Sequence, residues 1–406
     1  MSQPRRDAPP PPSFVRVAPV EGRRALEAFL RLPWSLYRDD PAWVPPLLLE
    51  RRQHLSPRNP YFEHARLQAW LAYRDGRPVG RITAQVDRLH LERYDDRTGF
   101  FGMLEAVDDP EVFEALFHAA QRWLAREGMD RVRGPFSLSI NDECGLLVEG
   151  FDTPPHIMMG HARPYYARRL EALGFTKAKD LLAYRISNED YRPAGPTAAL
   201  AERMRRRVRI RAVRRERFQE DLEIIRDIFD DAWSRNWGFI PFTAAELEHL
   251  GRNLKQFVPL ELAQIAEVDG EPAAMIVLFP NLNEAIQDLD GRLLPLGWLK
   301  LLWRLKVRGL RSGRVPLMGV RRRYQRGMMG AALALLLVES VRKEGSARGI
   351  TEGELSWILE DNTGMRSILE AVGCEAYKRY RIYEKPLAPG PPPPECASER
   401  AGSHAG

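Results

Sequence analysis

Cysteine is scarce in this chain of 406 residues: Cys144, Cys374 and Cys396 form no CxxC pair and sit in no Cys/His cluster. A disulfide framework and a zinc site are therefore not expected, no metal is called for, and a reducing compartment suits the chain. Strong charge is also missing. The formal net charge of +6 is modest for this length, and arginine is spread along the sequence instead of gathering in one basic block. A nucleic-acid partner is not implied; the same balance suits an anionic cofactor, an acidic carrier protein or an anionic membrane surface. Residues Met1–Ser13 are polar and proline-rich with no apolar h-region, so a secretory signal is not expected and the cytoplasm is the predicted location. These residues and the proline-rich stretch 388–406 read as disordered ends, because neither can bury enough apolar surface to offset ordering entropy.

What is present is an ordinary globular composition, 44% hydrophobic, over a length that calls for two packed cores. The chain also repeats itself. Trp70–Val86 reads as strand, Asp-Gly turn, strand, and Ile265–Phe279 reads the same way, with Asp75-Gly76-x-Pro78 matching Asp269-Gly270-x-Pro272. Upstream of each hairpin lies a β-like opening (Phe14–Val17; Val208–Arg211). A helical stretch follows, closing on Trp43-Val-Pro45 in one case and on Trp237-Gly-Phe-Ile-Pro241 in the other. Downstream, each copy has a helical run, a strand and a short helix closing on glycine, Tyr165–Gly174 and Met365–Gly373. A shared order of several elements points to duplication rather than chance hairpins.

The element order strand, helix, antiparallel hairpin, strand, helix, strand, helix resembles the GNAT acyltransferase fold, most clearly in the second copy. The resemblance runs from about Phe14 to Leu387 and extends to a group of double-GNAT bacterial proteins that includes bacterial ceramide synthases. Its most specific stretches are Glu354-Leu-Ser-Trp-Ile-Leu-Glu-Asp-Asn362 and Tyr377-Lys-Arg-Tyr-Arg-Ile-Tyr-Glu-Lys385. It implies an α/β chain with mixed sheets and two fused GNAT-like halves. The first spans 14–190, with a degenerate cofactor loop; a linker covers 191–207; the second spans 208–387 and carries an insertion at 281–314.

A strand, Val315–Val320, followed by Arg321–Gly330 and then an apolar helix from Ala331, presents unpaired backbone N–H groups and the positive end of a helix dipole. Such a junction suits a pyrophosphate, with a solvated turn as the plain alternative. In the GNAT superfamily the loop reads Gln/Arg-x-x-Gly-x-Gly/Ala and cradles coenzyme A, and here Gln325 and Gly330 match its first and last positions. Met328 replaces the middle glycine, although Gly327 directly precedes it, so some rearrangement is expected. The resemblance thus implies that acyl-CoA, bound as co-substrate and not held permanently, contacts Met318, Val320, Gln325, Arg326, Gly327, Met328, Met329, Gly330 and Asn362. In the first half, Asp109 can cap a helix starting at Pro110 and fill the anion position, with Asp108 and Glu111 adding repulsion, so no coenzyme A is expected there. That half either shapes the acceptor site or is structural.

An amine attacking a thioester must lose a proton, and its tetrahedral intermediate needs an oxyanion donor. The resemblance places the donor on a bulged strand, here the backbone of Leu317–Gly319, where Pro316 is compatible with irregularity. Alternation over 354–360 puts Glu354, Ser356 and Glu360 on one face. Either carboxylate could take the proton or recognise an ammonium group; the plain alternative is a solvated face capped by Asp361 or Asn362. The tyrosine acid of many GNAT enzymes is replaced by Leu369. Tyr380 is carried as a candidate hydroxyl alongside Tyr377 and Tyr383, with core packing as the other reading. His156 and His161 read as satisfied loop or core residues.

Within the insertion, Leu293–Arg311 sets Lys300, Arg304, Arg308 and Arg311 on one helical stripe and leucines and tryptophans over much of the rest. It is too charged to span a bilayer and suits either a membrane interface, an acyl-chain wall or ordinary packing. Together with the resemblance, it predicts an N-acyltransferase that moves a long-chain acyl group from acyl-CoA or acyl-carrier protein to a lipid-like amine such as a sphingoid base. Two alternatives stay open: a small-amine acetyltransferase using acetyl-CoA, and a non-catalytic acyl-CoA or lipid-binding protein.

Overall fold

The computed structural model describes residues 14–193 and 195–388, so the two ends expected to be disordered lie outside the described residues. The first half contributes strands β1 (Arg16–Pro19), β2 (Ala65–Arg74), β3 (Arg77–Asp87), β4 (Thr98–Ala106), β5 (Arg131–Gly134), β6 (Phe136–Ser137), β7 (Glu143–Cys144), β8 (Leu146–Glu149) and β9 (Thr176–Ser187). The second contributes β10 (Val208–Ala212), β11 (Ala263–Val268), β12 (Glu271–Pro280), β13 (Ser312–Val320), β14 (Glu352–Leu359) and β15 (Glu375–Pro386). Both expected hairpins form. At each turn Asp and Gly take left-handed φ values, 50° and 74° at Asp75-Gly76 and 51° and 87° at Asp269-Gly270, as a two-residue turn matched to strand twist requires.

The halves do not fold as two separate sheets. Apart from the β6–β7 pair, the strands form one thirteen-stranded sheet in the order β1-β2-β3-β4-β5-β15-β9-β14-β13-β12-β11-β10, with β8 pairing on β15. The last strand of each half has crossed over: β15 pairs with β5 of the first half, and β9 pairs with β14 of the second. Period-two alternation along β9 then serves two cores at once. Leu181 and Ala183 enter the first core, while Leu182 and Tyr184 enter the second. Residues 191–207, read as a linker, include the helix Gly195–Met204, whose Ala201 and Met204 are buried in the second core.

Each half repeats a parallel strand pair that separates part-way. β4 pairs with β5 only from Thr98↔Arg131 to Phe100↔Arg133, and β13 pairs with β14 only from Ser312↔Glu352 to Val315↔Leu355. Beside the second pair runs the helix Met328–Ser346, rich in Ala and Leu and anchored by Leu333, Leu336 and Leu337. Each such leucine stabilises the fold by about 1.5–3 kcal/mol on burial.

Candidate active site

The wedge between β13 and β14 begins where both strands are irregular. On β13 the register against β12 shifts between Leu317 and Arg314, at Val315-Pro316, where the sequence pointed to a bulge. On β14 the register against β9 shifts between Leu355 and Ile358. Beyond this level the wedge holds Trp233, whose indole N–H donates to the Met318 carbonyl at 2.9 Å and whose ring lies edge-on to Trp357 at 5.6 Å. The equivalent wedge in the first half is filled by its own chain. A Cβ at Gly102 would stand 1.8 Å from the Phe136 carbonyl oxygen, and the Gln85 amide donates to Phe136 O and Leu138 O at 2.6 and 3.0 Å.

The cofactor-type loop departs from the wedge at Val320. The helix starts at Met328, three residues earlier than Ala331, and Gly327 precedes it with φ 67°. Met328 is therefore a first-turn residue whose side chain is exposed. Its N–H and those of Met329 and Gly330 belong to the turn that has no intrahelical acceptor. Gly330 lets the loop fold onto the helix: a Cβ there would lie 2.9 Å from Gln325 Cα and 3.0 Å from Tyr324 O. Gln325 turns its amide inward to Val320 O at 2.7 Å, a structural bond at the position the motif marks. Arg321 and Arg322 are tied to Asp227 and Asp231. Arg326 forms no ion pair among the described residues. In the first half, Asp109 caps Pro110–Arg126 by accepting from Glu111 N at 2.9 Å, and Arg74 pairs with Asp109 and Glu111. The anion position there is filled by the chain's own carboxylate.

At the apex of the wedge lies a buried polar cluster that joins both halves. Glu354 of β14 is fully buried. Its Oε1 accepts from Ser356 Oγ at 2.5 Å; its Oε2 accepts from the Tyr377 hydroxyl of β15 and lies 3.0 Å from Nδ1 of His156, a residue of the first half. Arg314 of β13 spans the strand gap. Its Nε donates to Ser356 Oγ at 2.7 Å, its Nη2 to Ser356 O at 3.1 Å and its Nη1 to Ile157 O at 3.0 Å, with Glu354 3.8 Å away. Burial alone would raise the Glu354 pKa, but His156, Arg314 and Ser356 outweigh it and hold the carboxyl at about 2. Burial, with Glu354 alongside, pushes the Tyr377 hydroxyl well above its ordinary value. Lys378 donates to Gly150 O and Thr153 O at 2.6 and 2.7 Å, and burial pulls its ammonium down to about 8.

Of the residues read from the sequence, Glu354, Ser356 and Tyr377 meet in this cluster, and Tyr380 packs fully buried near it, with no hydrogen-bond partner for its hydroxyl among the described residues. Glu360 does not join them. The register shift on β14 breaks the alternation, and Glu360 pairs instead with Lys177 at 2.6 Å and accepts from Asp180 N at 3.0 Å. Asn362 caps the helix Thr363–Ala371 by accepting from Met365 N at 3.1 Å, the plain alternative for that position. Met318 and Val320 lie on β13 beyond the apex. His156, Arg314 and Lys378 carry no local pattern that marks them. His156 sits in a Pro/Met/Gly loop of the half whose own wedge is filled, and only the strand exchange brings it to Glu354. His161, read as a satisfied residue, pairs with Asp40 through Nε2 at 3.0 Å but leaves its buried Nδ1 without a hydrogen-bond partner among the described residues.

The insertion forms a helix Gly297–Trp303 that runs into a wider turn at Arg304–Arg308, shorter than the continuous helix expected over 293–311. It seats on the first half through Trp34 Nε1 to Asp290 at 2.6 Å and Leu48 N to Gly291 O at 3.0 Å. Lys300 and Arg304 share the single carboxylate of Asp288, so one of the stripe's four positive charges is neutralised. Leu294, Leu296, Trp298, Leu299, Leu302, Trp303 and Val307 are exposed. Among the described residues, no helix is long and apolar enough to cross a membrane.

No protein-family model matches the chain. It is 53% identical over 362 residues to Protein YghO of Escherichia coli K12, covering 89% of this chain and 93% of that protein. To Bacterial ceramide synthase of Caulobacter vibrioides NA1000 it is 45% identical over 380 residues, covering 92% and 98%. Among solved structures, a tandem GNAT protein from the clavulanic acid biosynthesis pathway superposes with a TM-score of 0.53 over 93% of this chain and 100% of that one. At 14% identity that likeness is one of fold.

Proposed function

The chain belongs to the tandem GNAT acyltransferase family that includes the bacterial ceramide synthase, and from that premise we propose that it moves a long-chain acyl group from a coenzyme A thioester to the amine of a lipid-like acceptor such as a sphingoid base. An acyl-carrier-protein thioester is the other donor of the same chemistry. The observation that carries this reading is the asymmetry of the two wedges: one is plugged by its own backbone and a capping Asp109, the other leads to a glycine-bounded helix start beside a buried polar cluster. In that second wedge the N–H groups of Met328, Met329 and Gly330 would face pyrophosphate. The β13 backbone beyond Pro316 would polarise the thioester carbonyl.

A lipid acceptor is supported by the insertion. Seven large apolar side chains are exposed on it, with Lys306, Arg308 and Arg311 interleaved with or following the last of them. That composition suits insertion at the headgroup boundary of an anionic membrane, where a long-chain amine would reside. The reading is tested by mass spectrometry of products from purified protein given acetyl-CoA or palmitoyl-CoA with sphinganine or simple polyamines. N-acylated sphinganine formed with palmitoyl-CoA alone is expected. Acetylated polyamine would assign a small-amine acetyltransferase instead, and thioester binding without any product would point to a binding protein.

A further inference from the structure

The loop Gly150–Ile157 belongs to the first half, yet second-half side chains hold it at every turn. Asn283 donates to Pro155 O at 2.8 Å, Asn281 accepts from Ile157 N at 3.1 Å, Arg314 donates to Ile157 O at 3.0 Å, and Lys378 donates to Gly150 O and Thr153 O. Contact with β15 is so close that a Cβ at Gly150 would stand 2.4 Å from Tyr377 O. Such clamping fixes the position of His156. Its Nδ1 is 3.0 Å from the Glu354 carboxylate, so Nδ1 is the donor and in the neutral ring the lone pair is left on Nε2. Nε2 has no hydrogen-bond partner among the described residues, although the ring as a whole keeps 15% exposure. A covered imidazole nitrogen with a free lone pair is completed by a water or by an incoming N–H group, and here it lies beside the buried cluster at the wedge apex.

We infer that His156 is the general base for the acceptor amine, supplied by the first half to the acyl-transfer site of the second, with Glu354 as its positioning residue. This rests on the acyltransferase reading above. Glu354 itself is ionised and already bonded to Ser356, Tyr377 and His156, which leaves Nε2 as the site with a free lone pair. The step balances without any further reactant. The acceptor ammonium gives one proton to solvent. As the nitrogen–carbon bond to the thioester carbonyl forms, Nε2 takes the second proton. The carbon–sulfur bond then breaks with its electron pair on sulfur, and the imidazolium returns the proton to that thiolate, giving amide and thiol. The charged and titratable groups around the ring's cluster are Glu354, Arg314, Tyr377, Tyr380, Cys144 and Lys378, with Asp152 on the loop itself.

The test is steady-state kinetics on the full chain with palmitoyl-CoA and sphinganine across pH. His156→Gln is expected to lower kcat about a hundredfold or more with KM for palmitoyl-CoA unchanged, the range for loss of a general base. It should also abolish the acidic limb of the kcat/KM profile. His156→Ala should recover part of its rate in added imidazole, which separates a chemical role from a folding defect. Glu354→Gln should lower kcat with KM for palmitoyl-CoA unchanged, because the ring loses the carboxylate that holds its Nδ1 side and aims Nε2. Wild-type turnover with a His156→Gln enzyme within threefold and an unchanged limb overturns the assignment and leaves the acyltransferase reading standing. No amide from the wild type overturns both.

Discussion

Arg314 is the test of how the two halves are held at the apex. Its side chain is 4% exposed and faces three acceptors, Ser356 Oγ, Ser356 O and Ile157 O, with the Glu354 carboxylate at 3.8 Å. Arg314→Met keeps apolar volume but leaves two backbone carbonyls without a donor and a buried carboxylate with one cation fewer. Breaking a buried ion pair costs about 3–5 kcal/mol, and each orphaned acceptor about 1–3 kcal/mol. Glu354 keeps His156, Tyr377 and Ser356, so the lower end applies, about 3 kcal/mol. Glu354→Gln leaves Arg314 as the buried charge without a counter-ion and should cost a similar amount. The double variant removes both charges together, and coupling of about 2 kcal/mol is expected, so the pair should cost about 4 kcal/mol and not 6. At about 2 °C per kcal/mol, each single change lowers Tm by about 6 °C and the double by about 8 °C. Differential scanning fluorimetry of the four proteins at neutral pH measures the cycle. A melting point within 1 °C of wild type for Arg314→Met, or strictly additive losses in the double variant, would refute the reasoning.

Two further outcomes follow from other sites. His64 is buried between Asp87 and Glu246, at 2.9 and 3.1 Å, tying the first half to the helix Ala244–Phe257; against the opposing effect of burial, those two carboxylates raise it to about 9. A folded pKa above the unfolded value of about 6.5 gives stability that is complete below that pH and lost as pH rises through 9. Between pH 6.5 and 9.5 the wild-type melting point should therefore fall relative to that of His64→Gln by the equivalent of about 2 kcal/mol. His64→Gln should flatten that slope, and identical slopes would exclude this source. Gly330→Ala forces a Cβ onto the backbone of Gln325 and Tyr324. Isothermal titration with coenzyme A well below the melting point should show affinity lowered about tenfold or more, and unaltered affinity would remove this loop from the binding site.

The sequence by itself determined the repeat. Alternation, Asp-Gly turns and glycine-closed helices are local signals, and the hairpins at 65–87 and 263–280 form where those signals place them. Asp109 as the helix cap and the irregularity at Val315-Pro316 were legible for the same reason, since each depends on a few neighbouring residues. The start of the helix at Met328 instead of Ala331 was missed because Gly327, with its left-handed φ, already turns the chain inward. Only tertiary structure decided which half each last strand would join. β9 and β15 carry the same alternating pattern whichever sheet accepts them, and pairing partners far apart in the chain leave no local mark. The separation of Glu360 from Glu354 follows from the shifted register against β9. His156 is a further consequence of that exchange: a loop histidine with no motif around it becomes a partner of Glu354 because β15 and β9 lie side by side, bringing the first half's loop against the second half's wedge.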